Sequence, residues 1–194
     1  MLVKDRINDF ICRLSEPLAR RVVRLAGDER GVSAVEFALL LPLMLTLYLG
    51  AVEVSQGIGA DRKVTLTTRT VADLVSQVSG LTASDMTNSL NAASAVMAPY
   101  SSANLKVTVT SVKIDANSNA TVDWSATMNG TARSKGATVT LPTALLIANT
   151  SLIWSEVQYT YTPTIGYVIS GSLTLKDQIY MRPRMSASVT YPTT

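Results

Sequence analysis

The stretch FALLLPLMLTLYLGAV, residues 37–52, decides the fold of this chain. Its sixteen residues carry no charge and lie between Glu36 and Glu53. An α-helix rises 1.5 Å per residue, so about twenty residues span the roughly 30 Å of a bilayer. With its apolar flanks the stretch is long enough to cross, and the sequence therefore predicts a transmembrane helix over residues 32–60.

Two other interpretations of the apolar stretch stay open: a cleaved secretory signal, and a buried helix of a soluble protein. A signal has an apolar region of about 7 to 15 residues, with a small-residue cleavage site soon after it. Here Gly50 and Ala51 are small, but Glu53 follows at once and a long basic region precedes the stretch. These features favour a membrane anchor.

Positive charge is concentrated in front of the apolar stretch. Residues 1–30 hold seven Arg or Lys against five acidic residues, whereas residues 72–194 hold seven against six. Cytoplasmic segments next to a span carry an excess of Lys and Arg. We therefore expect residues 1–31 to be a cytoplasmic basic leader, with the long C-terminal part in the opposite compartment.

The composition disfavours catalysis and nucleic-acid binding. The 194 residues include no His and a single Cys, Cys12, which removes His-dependent nucleophiles and thiolate metal cages. The sequence has no HExxH, GxSxG, P-loop or CxxC string and no dense basic stripe interleaved with aromatic residues. We expect a protein that is not an enzyme, needs no cofactor or metal, and binds neither nucleic acid nor a small-molecule substrate.

Glu36 is an unusual residue to find at the start of an apolar stretch. An unpaired carboxylate inside a bilayer costs a few kcal/mol, so such residues usually have a partner and a function. Two interpretations are open: Glu36 lies at the headgroup level and the span begins at Phe37, or Glu36 lies in the membrane and pairs there with a positive charge.

The string Gly31-Val-Ser-Ala-Val-Glu36-Phe37, followed by an apolar helix with Pro42, resembles the processing site of type IV prepilins. With its neighbours on both sides, the string is most similar to the TadE-like family of the tight-adherence (Tad, or Flp) pilus assembly system. The resemblance covers roughly residues 27–70. Phe37 departs from the Tyr that follows the Glu in the major Tad pilins.

The resemblance implies that a prepilin peptidase cuts after Gly31, so that Val32 begins the mature chain. Glu36, next to Phe37, would then pair in the membrane with the N-terminal ammonium of a neighbouring subunit, and Pro42 would kink the helix. The resemblance also implies a single-pass protein of the bacterial inner membrane with a periplasmic C-terminal domain. Its partners would be other pilins and inner-membrane pilus platform proteins.

Two further sets of residues are candidate contact sites. Ala51, Ser55 and Gly59 recur every four residues and would form a narrow helix-packing face. In an extended chain, Arg182 and Arg184 project to the same side and offer two guanidinium groups to a carboxylate or phosphate of a partner. The same pattern is typical of a charged edge strand in solvent, which we favour.

Beyond the span, the spacing of apolar residues predicts helices and then strands. Helical spacing continues to Gly80, and a second helix begins at Thr82 or Ser84 and ends near Met97. The period then becomes two, with Trp124 and Trp154 as expected core anchors. The predicted β elements are a hairpin from residue 105 with its turn at 115–119, a strand over 153–161 and a last extended segment over 179–191.

The sequence thus predicts a pilin-like α+β fold, in which a long N-terminal transmembrane helix continues into a stem before an antiparallel sheet domain. The leading function is a structural minor pilin or pseudopilin that assists assembly of a Tad-type pilus at the inner membrane. The alternative is a single-span periplasmic binding module unrelated to pili. The predicted divisions are the leader 1–31, the transmembrane helix 32–60, the periplasmic helical stem 61–99 and the periplasmic β-rich domain 100–194.

Overall fold

The computed structural model describes residues 29–192 of the chain. The predicted leader, except for its last three residues, and Cys12 lie outside the described part. The chain falls into two compact units, one ending at Leu49 and one spanning Gly50–Thr194. The predicted stem and β-rich domain therefore belong to one compact unit.

The first helix, α1, spans Glu29–Ser76. From residue 31 to Leu49 its apolar side chains are exposed or half-buried. Within the described residues, α1 is the helix that is long and apolar enough to cross a membrane. Pro42 lies inside it, and the hydroxyl of Thr46 donates to the Pro42 carbonyl at 2.9 Å.

The C-terminal half of α1 packs against the sheet. Four of its apolar residues, Ala60, Val64, Val71 and Val75, are fully buried. The β-branched threonines of this region are poor helix formers without tertiary support. Burial supplies that support, and their hydroxyls bond the carbonyl four residues back, in the pairs Thr67–Lys63, Thr68–Val64 and Thr70–Leu66.

The second helix, α2, spans Ala83–Met97, as its sequence spacing predicts. Thr82 is its N-cap. The Thr82 hydroxyl accepts from the Asp85 amide at 3.2 Å, and the Asp85 carboxylate accepts from the Thr82 amide at 2.9 Å. The side chains that α2 buries recur at steps of three and four: Met86, Leu90, Ala93 and Met97.

Four antiparallel strands form one sheet in the order β2-β1-β3-β4. The predicted α+β class, a long N-terminal apolar helix followed by an antiparallel sheet, is confirmed. The strands are β1 (Leu105–Ile114), β2 (Ala120–Met128), β3 (Thr150–Tyr161) and β4 (Leu173–Met181).

The prediction of a last extended segment over 179–191 is wrong in its bounds. Strand β4 ends at Met181, because Pro183 has no amide hydrogen with which to continue a ladder. The residues after Pro183 lie instead against the end of α1 and the segment that follows it. There the amide of Arg184 donates to the Ser76 carbonyl at 2.8 Å.

The sheet packs against two hydrophobic cores, and a bulge at Asp123 divides β2 between them. Ser111 pairs with Trp124, but the next residue, Val112, pairs with Val122, so Asp123 is the extra residue of β2. In consequence Trp124 faces the core shared with the helices. Ala120, at the start of the same strand, faces a second core on the opposite side, together with Val112, Ile114, Leu141, Leu152 and Trp154.

Both tryptophans are buried, which confirms that they are core anchors. Trp124 lies in the core between helices and sheet. Trp154 lies in the second core, where its indole stacks on Tyr180 with 5.4 Å between ring centroids. The guanidinium carbon of Arg133 lies 3.9 Å from the Trp154 ring centroid, in cation–π contact.

Candidate membrane and assembly site

The predicted processing and pairing residues lie on the surface of α1. Gly31, Val32, Glu36 and Phe37 are all exposed. Val32 and Glu36 are four residues apart, which places them on the same side of the helix in successive turns. The motif is therefore open to contact along its whole length.

Gly31 is not required by the fold of the described residues. Its backbone is helical, and a Cβ added there would have no atom within 4 Å. Glycine in a helix interior costs about 1 kcal/mol relative to alanine. The described residues therefore place no steric requirement for glycine at this position.

Pro42 lies within an uninterrupted helix. The lost backbone donor of Pro42 leaves a carbonyl one turn earlier without its usual partner. The predicted kink at Pro42 stays a prediction.

The three small residues of the predicted helix-packing face have different surroundings. Ala51 and Ser55 are exposed, and all three residues line one shallow groove. Gly59 is half-buried by its own chain, since a Cβ there would lie 3.0 Å from the hydroxyl of Tyr100. That hydroxyl donates to the carbonyl of Gln56 at 3.1 Å. Gly59 thus serves an intrachain contact.

Glu53 is a residue whose role the sequence did not indicate. It is 1% exposed, and its carboxylate accepts hydrogen bonds from three successive backbone amides. The distances are 2.7 Å from Tyr167, 3.0 Å from Val168 and 2.8 Å from Ile169. Convergent amides of this kind form an anion-binding concavity, and hydrogen bonds to an ionised group are stronger than neutral ones. The buried carboxylate is therefore well satisfied.

A known family model matches the part of α1 that contains these residues. Residues 31–73 match the family model described as TadE-like protein. The chain carries a TadE-like segment. The predicted resemblance is confirmed over these residues, which include the Gly31 to Phe37 string and Glu53. A search of curated proteins and a search of solved structures each give no match.

The partner of Glu53 is a loop after β3, residues 163–172, which we name the apolar loop. Ile165, Tyr167 and Val168 are 48%, 62% and 50% exposed. A methyl carbon of Val168 lies 3.2 Å from the position that a Cβ of Gly50 would occupy. The loop is thus fixed to the TadE-like segment at two points one helical turn apart.

Tyr161 lies at the base of the apolar loop. Its hydroxyl is buried and has no hydrogen-bond partner among the described residues. Burial, together with the nearby Tyr100 and Glu53, raises the pKa of Tyr161, so the phenol is neutral at physiological pH.

The TadE-like segment also holds the C-terminal residues. Arg184 makes a salt bridge with Asp73, with Nη2 and Oδ1 2.5 Å apart. Arg182 is exposed and has no salt bridge within the described residues. The structure therefore gives the two arginines of the predicted partner contact different surroundings, and Arg184 is engaged within its own chain.

The open face of the sheet carries a polar cleft. Arg133 makes a salt bridge with Glu156 and donates to the hydroxyl of Thr110 at 3.1 Å. Lys106 and Lys176 lie in the same cleft. Across residues 29–192, no group of three or more Cys, Asp or Glu side chains is placed to hold a metal ion.

Proposed function

We propose that this protein is a structural, non-enzymatic component of Tad pilus assembly, a minor pilin or pseudopilin anchored by α1. The observation that carries the proposal is the TadE-like match, which begins at Gly31 and falls on a helix able to cross a membrane. The exposure of Gly31 and Glu36 supports it, because a processing site and a subunit contact must both be accessible.

Processing after Gly31 would create a new ammonium group on Val32. Glu36 lies four residues on, a rise of about 6 Å along the helix. In a bilayer, the carboxylate of Glu36 and the ammonium of a neighbouring subunit satisfy each other, and either one alone is costly. Pairing would therefore favour one register between adjacent helices, beside the exposed ring of Phe37.

The proposed location is the bacterial inner membrane, with the basic leader in the cytoplasm and residues after the span in the periplasm. The proposed partners are a prepilin peptidase, other pilins and inner-membrane platform proteins of the pilus. The function needs no cofactor, small-molecule substrate or nucleic acid. It is carried out by helix packing and charge pairing.

The first test is the N-terminus of the mature chain. We expect full-length protein, produced together with a prepilin peptidase and extracted from membranes, to begin at Val32 by N-terminal sequencing. The variant Gly31→Leu should begin at Met1 and fold normally, because a Cβ at this position meets no atom within 4 Å. Leu40→Ala, a change at another exposed position of α1, is the matched control and should be processed. A wild-type chain that still begins at Met1 contradicts processing.

The second test separates the pilus role from an unrelated anchored binding module. Glu36→Gln keeps the shape of the side chain and removes its charge. We expect this variant to lose crosslinks to neighbouring pilins in the membrane and to reduce pilus assembly, while Ser33→Ala leaves both unchanged. Unchanged assembly and crosslinking in Glu36→Gln would favour the binding module, in which Glu36 is interfacial.

A further inference from the structure

We infer that the apolar loop enters the headgroup region of the bilayer in which α1 is anchored, so that the folded domain contacts lipid directly. This inference rests on the proposed membrane anchor and on no pilus partner. In this arrangement the exposed side chains of Ile165, Tyr167 and Val168 contact lipid.

The chemistry of the loop suits a membrane interface. Residues 163–172 contain no charged side chain. Three apolar or amphipathic side chains are about half exposed or more, and the ring of Tyr167 is the most exposed of them. Tyrosine is enriched at the level of lipid headgroups, where its ring is buried and its hydroxyl stays wet.

The position of the loop follows from its attachment to α1. Twenty residues counted from Val32 reach Ala51, which is about the 30 Å needed to cross the hydrocarbon core. Counted this way, the crossing part of α1 ends inside the predicted span 32–60, whose last residue, Ala60, is buried in the core of the folded domain. Val168 contacts Gly50, within one residue of that boundary, and Glu53 holds the loop one turn further along. Contact at Gly50 therefore places the loop at the bilayer surface.

The hydrogen bonds of the loop's backbone amides are a second observation that fits contact between the loop and lipid. Amide groups that approach hydrocarbon must be hydrogen-bonded within the protein, because no water is available there. Glu53 accepts from the amides of Tyr167, Val168 and Ile169 together, which covers the donors at the exposed tip. The tip therefore brings none of these three amides unpaired to the bilayer.

Glycines at both sides of the tip allow the tight course of the loop. Gly166 has φ +66° and Gly171 has φ +93°, in the region that L side chains rarely adopt. The chain can therefore turn so that the amides of Tyr167 and Ile169 face Glu53 while the side chains of Ile165 and Tyr167 stay exposed.

Depth-dependent fluorescence quenching tests the inference on the full-length protein. In a Cys12→Ser background, single cysteines at Ile165, Leu45 and Ser134 carry an environment-sensitive NBD label. The labelled proteins are placed in phosphatidylcholine–phosphatidylglycerol vesicles with bromine at a shallow or a deep acyl carbon. Leu45 reports the anchor, and Ser134, an exposed residue of another loop, is the matched control.

We expect blue-shifted emission at residue 165 with stronger quenching by shallow bromine, deep quenching at residue 45 and neither effect at residue 134. If residue 45 is quenched and residue 165 behaves like residue 134, the inference is overturned and the anchor stands. If residue 45 is not quenched, the proposed anchor itself fails. A blue shift at residue 165 without bromine quenching means that another protein copy covers the loop, which also overturns the inference.

Discussion

The indole Nε1 of Trp124 donates a hydrogen bond to the backbone carbonyl of Val189 at 2.7 Å, and both residues are buried. This bond joins β2 to the segment that follows the last strand. The bond holds the C-terminal residues against the core. Because both groups are buried, water cannot take the place of either partner.

Replacing Trp124 by Phe should destabilise the domain. The ring remains apolar, but the Val189 carbonyl loses its partner and the smaller side chain leaves a cavity, for a combined loss of about 2–4 kcal/mol. Urea unfolding of the full-length protein in detergent micelles, followed by near-UV circular dichroism, measures this loss. Trp154→Phe, at the less deeply buried indole, should cost less. An equal loss in both variants would contradict the importance of the Val189 bond.

Glu53→Gln should loosen the apolar loop without unfolding the domain. The amide side chain retains one acceptor oxygen but presents hydrogens to amide donors, so at least one loop donor is left unpaired. We expect hydrogen exchange at the amides of residues 167–169 to accelerate by roughly tenfold or more. Ser55→Ala, an exposed change in the same turn of α1, should leave exchange unaltered. Equal protection of the loop in Glu53→Gln would show that the carboxylate does not hold it.

Two glycines of α1 should respond oppositely to alanine. Gly57→Ala meets its nearest atom at 3.9 Å, so better helix propensity should raise stability by about 0.5–1 kcal/mol. At Gly59 the new methyl would lie 3.0 Å from the Tyr100 hydroxyl and would displace it from the Gln56 carbonyl. We expect Gly59→Ala to gain nothing or to lose stability. Thermal unfolding in micelles compares the pair, and an equal gain would contradict the close approach of Tyr100.

The two C-terminal arginines should differ in their effect on stability. Arg184→Ala removes an exposed salt bridge with Asp73, and such bridges contribute about 0–1 kcal/mol. We therefore expect a small decrease in stability and easier proteolysis of residues 182–192. Arg182→Ala should change neither. A larger effect of Arg182→Ala on crosslinking to pilus proteins would support the partner role for this residue alone.

Acid should weaken the hairpin turn through Asp115. Hydrogen bonds from the Asn119 side chain, the Asn119 amide and the Asn117 amide hold the pKa of Asp115 below its ordinary value. A pKa lowered by folding means stability that is present above the unfolded pKa and is lost as pH falls through the folded pKa. Thermal midpoints measured from pH 6 down to pH 3 should therefore fall less steeply in Asp115→Asn. Identical slopes would contradict this contribution.

Local patterns were enough to predict the helices and the hairpin. The start of α2 depends on Thr82 and Asp85, three residues apart, and the hairpin turn depends on Asp115 and the asparagines that follow it. Both signals lie within a few residues of the structure that they specify. The apolar stretch likewise predicted, from length and composition alone, a helix able to cross a membrane.

Contacts between residues that are far apart in the sequence were not predicted. In the sequence, Glu53 is recognisable only as the charged residue that ends the apolar stretch. Its partners lie in a loop more than a hundred residues later. The start of β4 was missed because Asp177 interrupts the apolar alternation between Leu175 and Ile179. In both cases the deciding contact is with a strand or helix that local spacing does not identify.

The bulge at Asp123 has a consequence for how β2 can change in length. The apolar residues on either side of it share one alternating pattern in the sequence, yet they fill opposite sides of the sheet. Removal of Asp123 would place Val122 next to Trp124, and ordinary alternation would keep these two residues on the opposite sides of the sheet that they already face. A deletion at a regularly paired position of β2 would instead act as a frameshift does in a gene: the remaining residues are intact, but those on one side of the deletion face the wrong side of the sheet.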